Sequence, residues 1–210
     1  MNRREEIQME ITAVRLTGGV PQEVFTHWLS CLPGKRQAEI LARRMRADQE
    51  RSLCGELLAR TMLARILHCP LPAVPISREE RGKPFLKDGQ DLFFNISHSG
   101  EYAVCAVSEH PVGIDIERLR KYNPNVARRV CSGAELALLA QSKDPARLFY
   151  RLWTLKESFV KLTGTGIGVP LQNISFSFAP DGTVISNQDN VLFQSFDFAG
   201  EYCLSMCERR

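Results

Sequence analysis

Val112-Gly113-Ile114-Asp115-Ile116-Glu117 is the stretch on which the reading of this chain turns. Taken as a strand, it sends Ile114 and Ile116 to one face and Asp115 and Glu117 to the other. Residues at i and i+2 on a strand lie about 7 Å apart at Cα, close enough for two carboxylates to reach one divalent ion. An edge strand with one wet face gives the same pattern, so the neighbouring sequence has to decide between the two.

Downstream, Leu148, Leu152, Leu155, Phe159 and Leu162 recur at helical spacing and predict a helix over 147–163. Glu157 and Lys161 lie one turn apart on a face away from that stripe, within Trp153-Thr154-Leu155-Lys156-Glu157-Ser158-Phe159-Val160-Lys161. Alone, the pair reads as an exposed salt bridge worth a few tenths of a kcal/mol. Beside an Asp-x-Glu strand, a third carboxylate with two lysines suits magnesium and a phosphorylated ligand: oxygens hold the hard ion, and ammonium groups neutralise phosphate. Gly164-Thr165-Gly166-Ile167-Gly168 follows the helix rather than preceding one, so its N–H groups do not form a phosphate-binding helix start. It reads as a helix stop and loop, and the loop to Pro170 is also a place where a partner could touch.

Upstream, residues 93–96 and 102–107 read as strands around a Ser97-His98-Ser99-Gly100 turn. His98 is then either a turn histidine bonded to backbone or, with Ser97, a phosphate contact. Gly82-Lys83-Pro84 holds a lysine between a flexible and a stiff residue. It closes a proline-rich extended connection that begins at Pro70. Further back come a strand over 7–16, a short helix over 21–30, a break at Pro33-Gly34 and a basic helical stretch over 35–46. Asp48 is the expected N-cap of a helix to about Leu67, with Cys54, Leu58, Met62 and Ile66 as its apolar stripe. The cations Lys35, Arg36, Arg43, Arg44, Arg46 and Arg51 lack interleaved aromatics, which favours a solvated face or a small-anion site over nucleic acid.

The two halves of the chain echo each other. Gly100-Glu101-Tyr102 returns as Gly200-Glu201-Tyr202, Pro33-Gly34 as Ser132-Gly133, Gly82 as Gly182, and the helix near Arg51 as the one near Arg151. A common register predicts a duplicated α/β (α+β) unit: two pseudo-symmetric halves, 1–110 and 111–210, each a small sheet packed on a long helix, with a ligand site between them.

Composition agrees with such a protein and excludes others. The 210 residues carry a net charge of +3, ordinary apolar and charged fractions, and no apolar run of membrane-spanning or signal-peptide type. Seven cysteines, at 31, 54, 69, 105, 131, 203 and 207, form no Cys-x-x-Cys pair and read as reduced thiols. A cytoplasmic chain with no nucleic-acid or membrane partner is expected.

Taken together, Gly82-Lys83-Pro84, Phe94-Asn95-Ile96-Ser97-His98-Ser99-Gly100, Gly113-Ile114-Asp115-Ile116-Glu117 and Trp153 through Lys161 closely resemble the phosphopantetheinyl transferases, and within them the monomeric surfactin-synthetase-activator type. The resemblance implies coenzyme A as donor, Mg2+ as cofactor, and a serine of an acyl or peptidyl carrier protein as acceptor. By the same resemblance Asp115, Glu117 and Glu157 ligate the metal, while Lys161, Ser97 and His98 contact the pyrophosphate. Lys83, Lys35, Arg51 and Ser52 face the nucleotide end. Glu157 would take the serine proton, and Glu157, Lys161 and His98 are counted as catalytic. Ala38 stands where some relatives carry a second basic residue. The rival reading is a non-catalytic module that binds coenzyme A or another nucleotide, which has no need of three converging carboxylates.

Overall fold

The computed structural model describes residues 9–80, 82–87 and 91–210, and the chain divides into two compact units, Met1–Glu109 and His110–Arg210. In the first unit the order is β1 (Glu10–Arg15), α1 (Gln22–Ser30), α2 (Gly34–Leu41), α3 (Arg46–Leu67), β2 (Ile76–Arg78), β3 (Pro84–Leu86), β4 (Phe93–Ser99) and β5 (Tyr102–Ser108). An antiparallel sheet β1-β5-β4 packs on α3, and β2-β3 forms a separate ribbon. Ala59, Met62, Leu63, Phe94, Cys105 and Val107 fill the space between helix and sheet, and Phe25, Leu29, Ile40 and Leu53 fill that between α1, α2 and α3.

The second unit repeats the plan with β6 (Val112–Arg118), α4 (Pro124–Val130), α5 (Gly133–Gln141), α6 (Pro145–Thr163), β7 (Phe176–Phe178), β8 (Val184–Ser186), β9 (Val191–Phe198) and β10 (Tyr202–Arg209). Its sheet is β6-β10-β9, its ribbon β7-β8, and its long helix α6. Its core is built from Phe149, Leu152, Leu155, Leu162, Phe176 and Phe193.

The duplication extends to single hydrogen bonds. Leu16 N–H donates to Glu101 O at 2.7 Å, and Leu119 N–H to Glu201 O at 2.8 Å. Gly82 N–H donates to Glu79 O and Gly182 N–H to Ala179 O, both at turns where the glycine takes φ near +85°. Such a φ is costly for any residue with a Cβ, so glycine recurs at both places.

Several boundaries differ from the sequence reading. The described part of the first strand is Glu10–Arg15; residues 7 and 8 of the expected strand lie outside the described residues. The basic stretch 35–46 is not one helix: α2 ends at Leu41, and α3 starts at Arg46. Met45, not Asp48, occupies the N-cap of α3. Asp48 sits in the first turn, where its charge favours the positive helix end, and it accepts a hydrogen bond from Arg51 at 2.5 Å. Strand β4 runs on through Ser99, so the turn is at Gly100-Glu101 and His98 lies on a strand. The proline-rich connection leads into the β2-β3 ribbon. α6 begins at Pro145 behind Asp144, which caps it by accepting from Arg147 N–H.

Candidate functional site

The site of the second unit is made where β6 meets α6. Gly113, Asp115 and Glu117 alternate with Ile114 and Ile116, so the three share one face of the strand. That face looks at α6: a Cβ on Gly113 would stand 1.9 Å from Ser158 O and 2.7 Å from Leu162 N. Glycine here lets the helix come down onto the strand, and the descent brings Lys161 to Asp115. Lys161 Nζ donates to Asp115 Oδ1 at 2.6 Å, with Asp115 only 4 % exposed.

Glu157 lies one turn before Lys161, half-buried. Burial pushes its carboxyl above the usual carboxylate range, the Asp115 charge pushes it further, Lys161 opposes, and Glu117 adds a smaller upward push. The three carboxylates therefore feel one another, with one ammonium group among them. Among the described residues no three His, Cys, Asp or Glu side chains are already arranged as a closed metal site. The donor set nevertheless fits a hard divalent cation. Its atoms are carboxylate oxygens, and the like-charge repulsion that raises Glu157 is what such a cation relieves.

Behind this cluster the helix rests on small hydroxyls. Thr154 Oγ1 and Ser205 Oγ are 2.7 Å apart, and Ser205 donates to Ser195 at 2.9 Å. Ser205 stands opposite Asp115 in the β6–β10 register. Lys156 has another task. It is fully buried, 2.8 Å from Glu135 of α5, and donates to Leu171 O and Ile174 O. Glu135 in turn accepts from Ser132 N–H and Phe176 N–H. Of the two lysines flanking Glu157, Lys161 reaches the carboxylates and Lys156 anchors the helix.

The first unit has no such cluster at the equivalent places. Pairing β1 with β5 as β6 pairs with β10 sets Thr12 where Asp115 stands and Val14 where Glu117 stands. A shift of one hundred residues sets Leu57 and Thr61 where Glu157 and Lys161 stand. Its own candidates are cationic and hydroxylic. Lys35 is exposed on α2 and, with Arg36, Arg43, Arg78 and Gly82, lines a depression of about 740 Å³. Lys83 is half-buried beside Gly82. Ser97 is buried and His98 half-buried, and as neighbours on β4 they face opposite sides of it. Arg51 donates to Gly100 O at 3.1 Å and pairs with Asp48, while Ser52 is buried and accepts from Arg36 at 2.9 Å. Sequence reasoning passed over Glu56. It is 1 % exposed and holds Arg36, Arg60 and Arg78 together, which positions the wall of the depression; its spacing to Arg60 was the available signal.

Comparison with known proteins meets this arrangement from outside. Residues 111–207 match the 4'-phosphopantetheinyl transferase superfamily, and residues 20–110 match the N-terminal part of a 4'-phosphopantetheinyl transferase family. The chain is 34% identical over 178 residues to the 4'-phosphopantetheinyl transferase Sfp of Bacillus subtilis strain 168, covering 84% of this chain and 80% of that one. It is 35% identical over 184 residues to the 4'-phosphopantetheinyl transferase gsp of Aneurinibacillus migulanus, covering 86% and 76%. A crystal structure of Thermotoga maritima holo-[acyl-carrier-protein] synthase aligns with 48% of this chain and 64% of its own, at 21% identity and a TM-score of 0.42. The chain belongs to the 4'-phosphopantetheinyl transferase superfamily. Within it the chain is of the surfactin-activator type, an enzyme that transfers phosphopantetheine to carrier proteins.

Proposed function

We propose that the donor is coenzyme A, that transfer needs Mg2+, and that the products are the phosphopantetheinylated carrier serine and adenosine 3',5'-bisphosphate. The observation that carries this is the meeting of Asp115, Glu117 and Glu157 with Lys161 at the β6–α6 joint. Asp115, Glu117 and Glu157 would hold the ion, which when bound supplies positive charge to the pyrophosphate oxygens. Lys161 is placed to add a second positive charge on the phosphate that leaves, where stabilisation of developing charge does most of the work in phosphoryl transfer. The serine Oγ–P bond forms as the bridging P–O bond of the pyrophosphate breaks. The serine proton goes to Glu157, directly or through a water beside it. Ser97, His98, Lys83, Lys35, Arg51 and Ser52 of the first unit are the proposed contacts to the phosphates and nucleotide of coenzyme A. Arg51 and Ser52 already have protein partners and would share them with the ligand.

A monomer working in the cytoplasm is the state we propose. All seven cysteines are free thiols, which suits a reducing compartment. No helix among the described residues is long and apolar enough to cross a membrane.

The test is the intact mass of apo acyl and peptidyl carrier domains after incubation with the enzyme and coenzyme A, with Mg2+ or with chelator. A phosphopantetheine-sized gain that needs Mg2+ is expected. A gain undiminished by chelator would remove the metal from the proposal. No gain on any carrier, with coenzyme A still bound, would leave a binding module.

A further inference from the structure

Tyr150 stands on α6 seven residues before Glu157 and eleven before Lys161. At about 3.6 residues per turn, Tyr150, Thr154, Glu157 and Lys161 fall within about 60° of arc, so one flank of the helix carries all four. Contacts to the sheet fix the level of Tyr150 along β6. Thr154 meets Ser205, which pairs with Asp115. Cys203, which pairs with Glu117, donates to Arg147 O at 3.8 Å. Between residues 147 and 154 the helix therefore passes from the level of Glu117 to that of Asp115. Tyr150 occupies the Glu117 end of the flank, and Lys161, bonded to Asp115, the other.

The electrostatics give the same placement. Burial pushes the Tyr150 hydroxyl above the usual phenol range, the Glu117 charge pushes it further, and Arg120 opposes. The ring is half-buried, packs edge-on to Phe149 with centroids 5.3 Å apart, and rests on the core of the second unit. A tyrosine packed in this way normally brings its hydroxyl to a partner. The hydroxyl of Tyr150 makes no hydrogen bond among the described residues. A fixed ring that carries a neutral donor to the end of a row of carboxylates suits an acceptor that the protein does not supply.

We propose that the Tyr150 hydroxyl is a further catalytic group that donates to a non-bridging oxygen of the phosphoryl group under transfer, a role that rests on the transferase reading above. Lys161, at the far end of the same flank, serves the phosphate that leaves. An in-line displacement sets the entering serine and the leaving phosphate on opposite sides of the phosphorus, so the transferred group and the leaving group need separate donors. The phenol keeps its proton throughout, and the serine proton takes the route to Glu157 given above. A donor already fixed by packing orients the phosphoryl oxygens at no cost of reorganisation during the step.

The test compares Tyr150→Phe with Tyr122→Phe, whose ring stacks on Phe149 at 5.5 Å in the same aromatic group. The full chain is used with coenzyme A, Mg2+ and an apo acyl carrier protein, and transfer is read by intact mass. Tyr150→Phe keeps the ring and loses only the oxygen, so the melting temperature should hold while kcat falls about tenfold. The KM values for coenzyme A and carrier, and the Mg2+ concentration for half-maximal rate, should stay as in wild type. Tyr122→Phe should match wild type throughout. Wild-type kcat in folded Tyr150→Phe removes the donor role and leaves the transferase reading standing. A loss seen only as a higher Mg2+ requirement would make Tyr150 a support for Glu117, and one seen only in the carrier KM would make it a carrier contact. Either overturns the proposal, as does an equal fall of kcat in both variants, which would give the effect to the aromatic packing. Absence of transfer by the wild type removes the transferase reading and the donor role with it.

Discussion

Gly113 lies so close beneath α6 that a methyl on its Cα would stand 1.9 Å from the carbonyl oxygen of Ser158. Neither partner can yield, because both are backbone of packed elements. Gly113→Ala should therefore lose about 3 kcal/mol or more of stability, read from the midpoint of urea unfolding. Gly133→Ala, where no atom lies within 4 Å of the added methyl, should stay within about 1 kcal/mol of wild type. A stable, active Gly113→Ala would show that the helix does not press on the strand.

Lys161→Met should separate stability from catalysis. It removes a cation 2.6 Å from the buried Asp115, the same cation proposed to act on the leaving phosphate, so kcat should fall about a hundredfold or more. Adding Asp115→Asn should recover the melting temperature without recovering transfer. Recovery of both would mean that Lys161 serves only to neutralise Asp115.

Glu157 gives a pH signature in metal-free buffer. Its carboxyl is raised in the folded state by burial and by Asp115, so between its unfolded and folded values the native state binds more protons than the unfolded one. Its contribution to stability is then fully present below the unfolded value and is lost as pH rises through the folded one. Glu157→Gln should melt higher than wild type at neutral pH, with the gap closing in acid. A gap that widens in acid would contradict the assigned direction.

Mg2+ should reverse part of that cost. With the ion at a hundredfold excess over its dissociation constant, linkage predicts about 3 kcal/mol of added stability for wild type. Asp115→Asn should gain much less, as measured by thermal unfolding with and without the ion. An equal gain in both proteins would place the ion elsewhere.

Lys156→Met leaves Glu135 charged and fully enclosed, and should cost about 3–5 kcal/mol. Changing both, as Lys156→Met with Glu135→Gln, should cost less than the sum of the single changes, because no uncompensated charge remains buried. Additive costs would mean that the two side chains do not act as a pair.

The long helices, the strand bearing Asp115 and Glu117, and the one-hundred-residue echo were legible because each has a local period: 3.6 residues on a helix, 2 on a strand, and a repeated turn that needs glycine at Gly82 and Gly182. The carboxylates and lysine of the candidate site could be picked out for the same reason, since their spacing lies within single elements. Asp48 was misplaced as a cap because a first-turn acid and an N-cap acid leave nearly the same mark in sequence. His98 was put on a turn because Ser-His-Ser-Gly has turn composition, yet pairing with β5 carries the strand on to Ser99.

By itself, then, the sequence determined most of the elements, their duplication and the set of side chains proposed to handle phosphate. The tertiary structure decided which faces meet. It turned the Gly113-Asp115-Glu117 face toward α6, set small Thr154 and Ser158 against the sheet, and separated Lys161 beside Asp115 from Lys156 in its pair with Glu135. Spacing along one element fixes which side chains share a face. The neighbour that this face receives depends on packing between elements far apart in the chain, which no local period records.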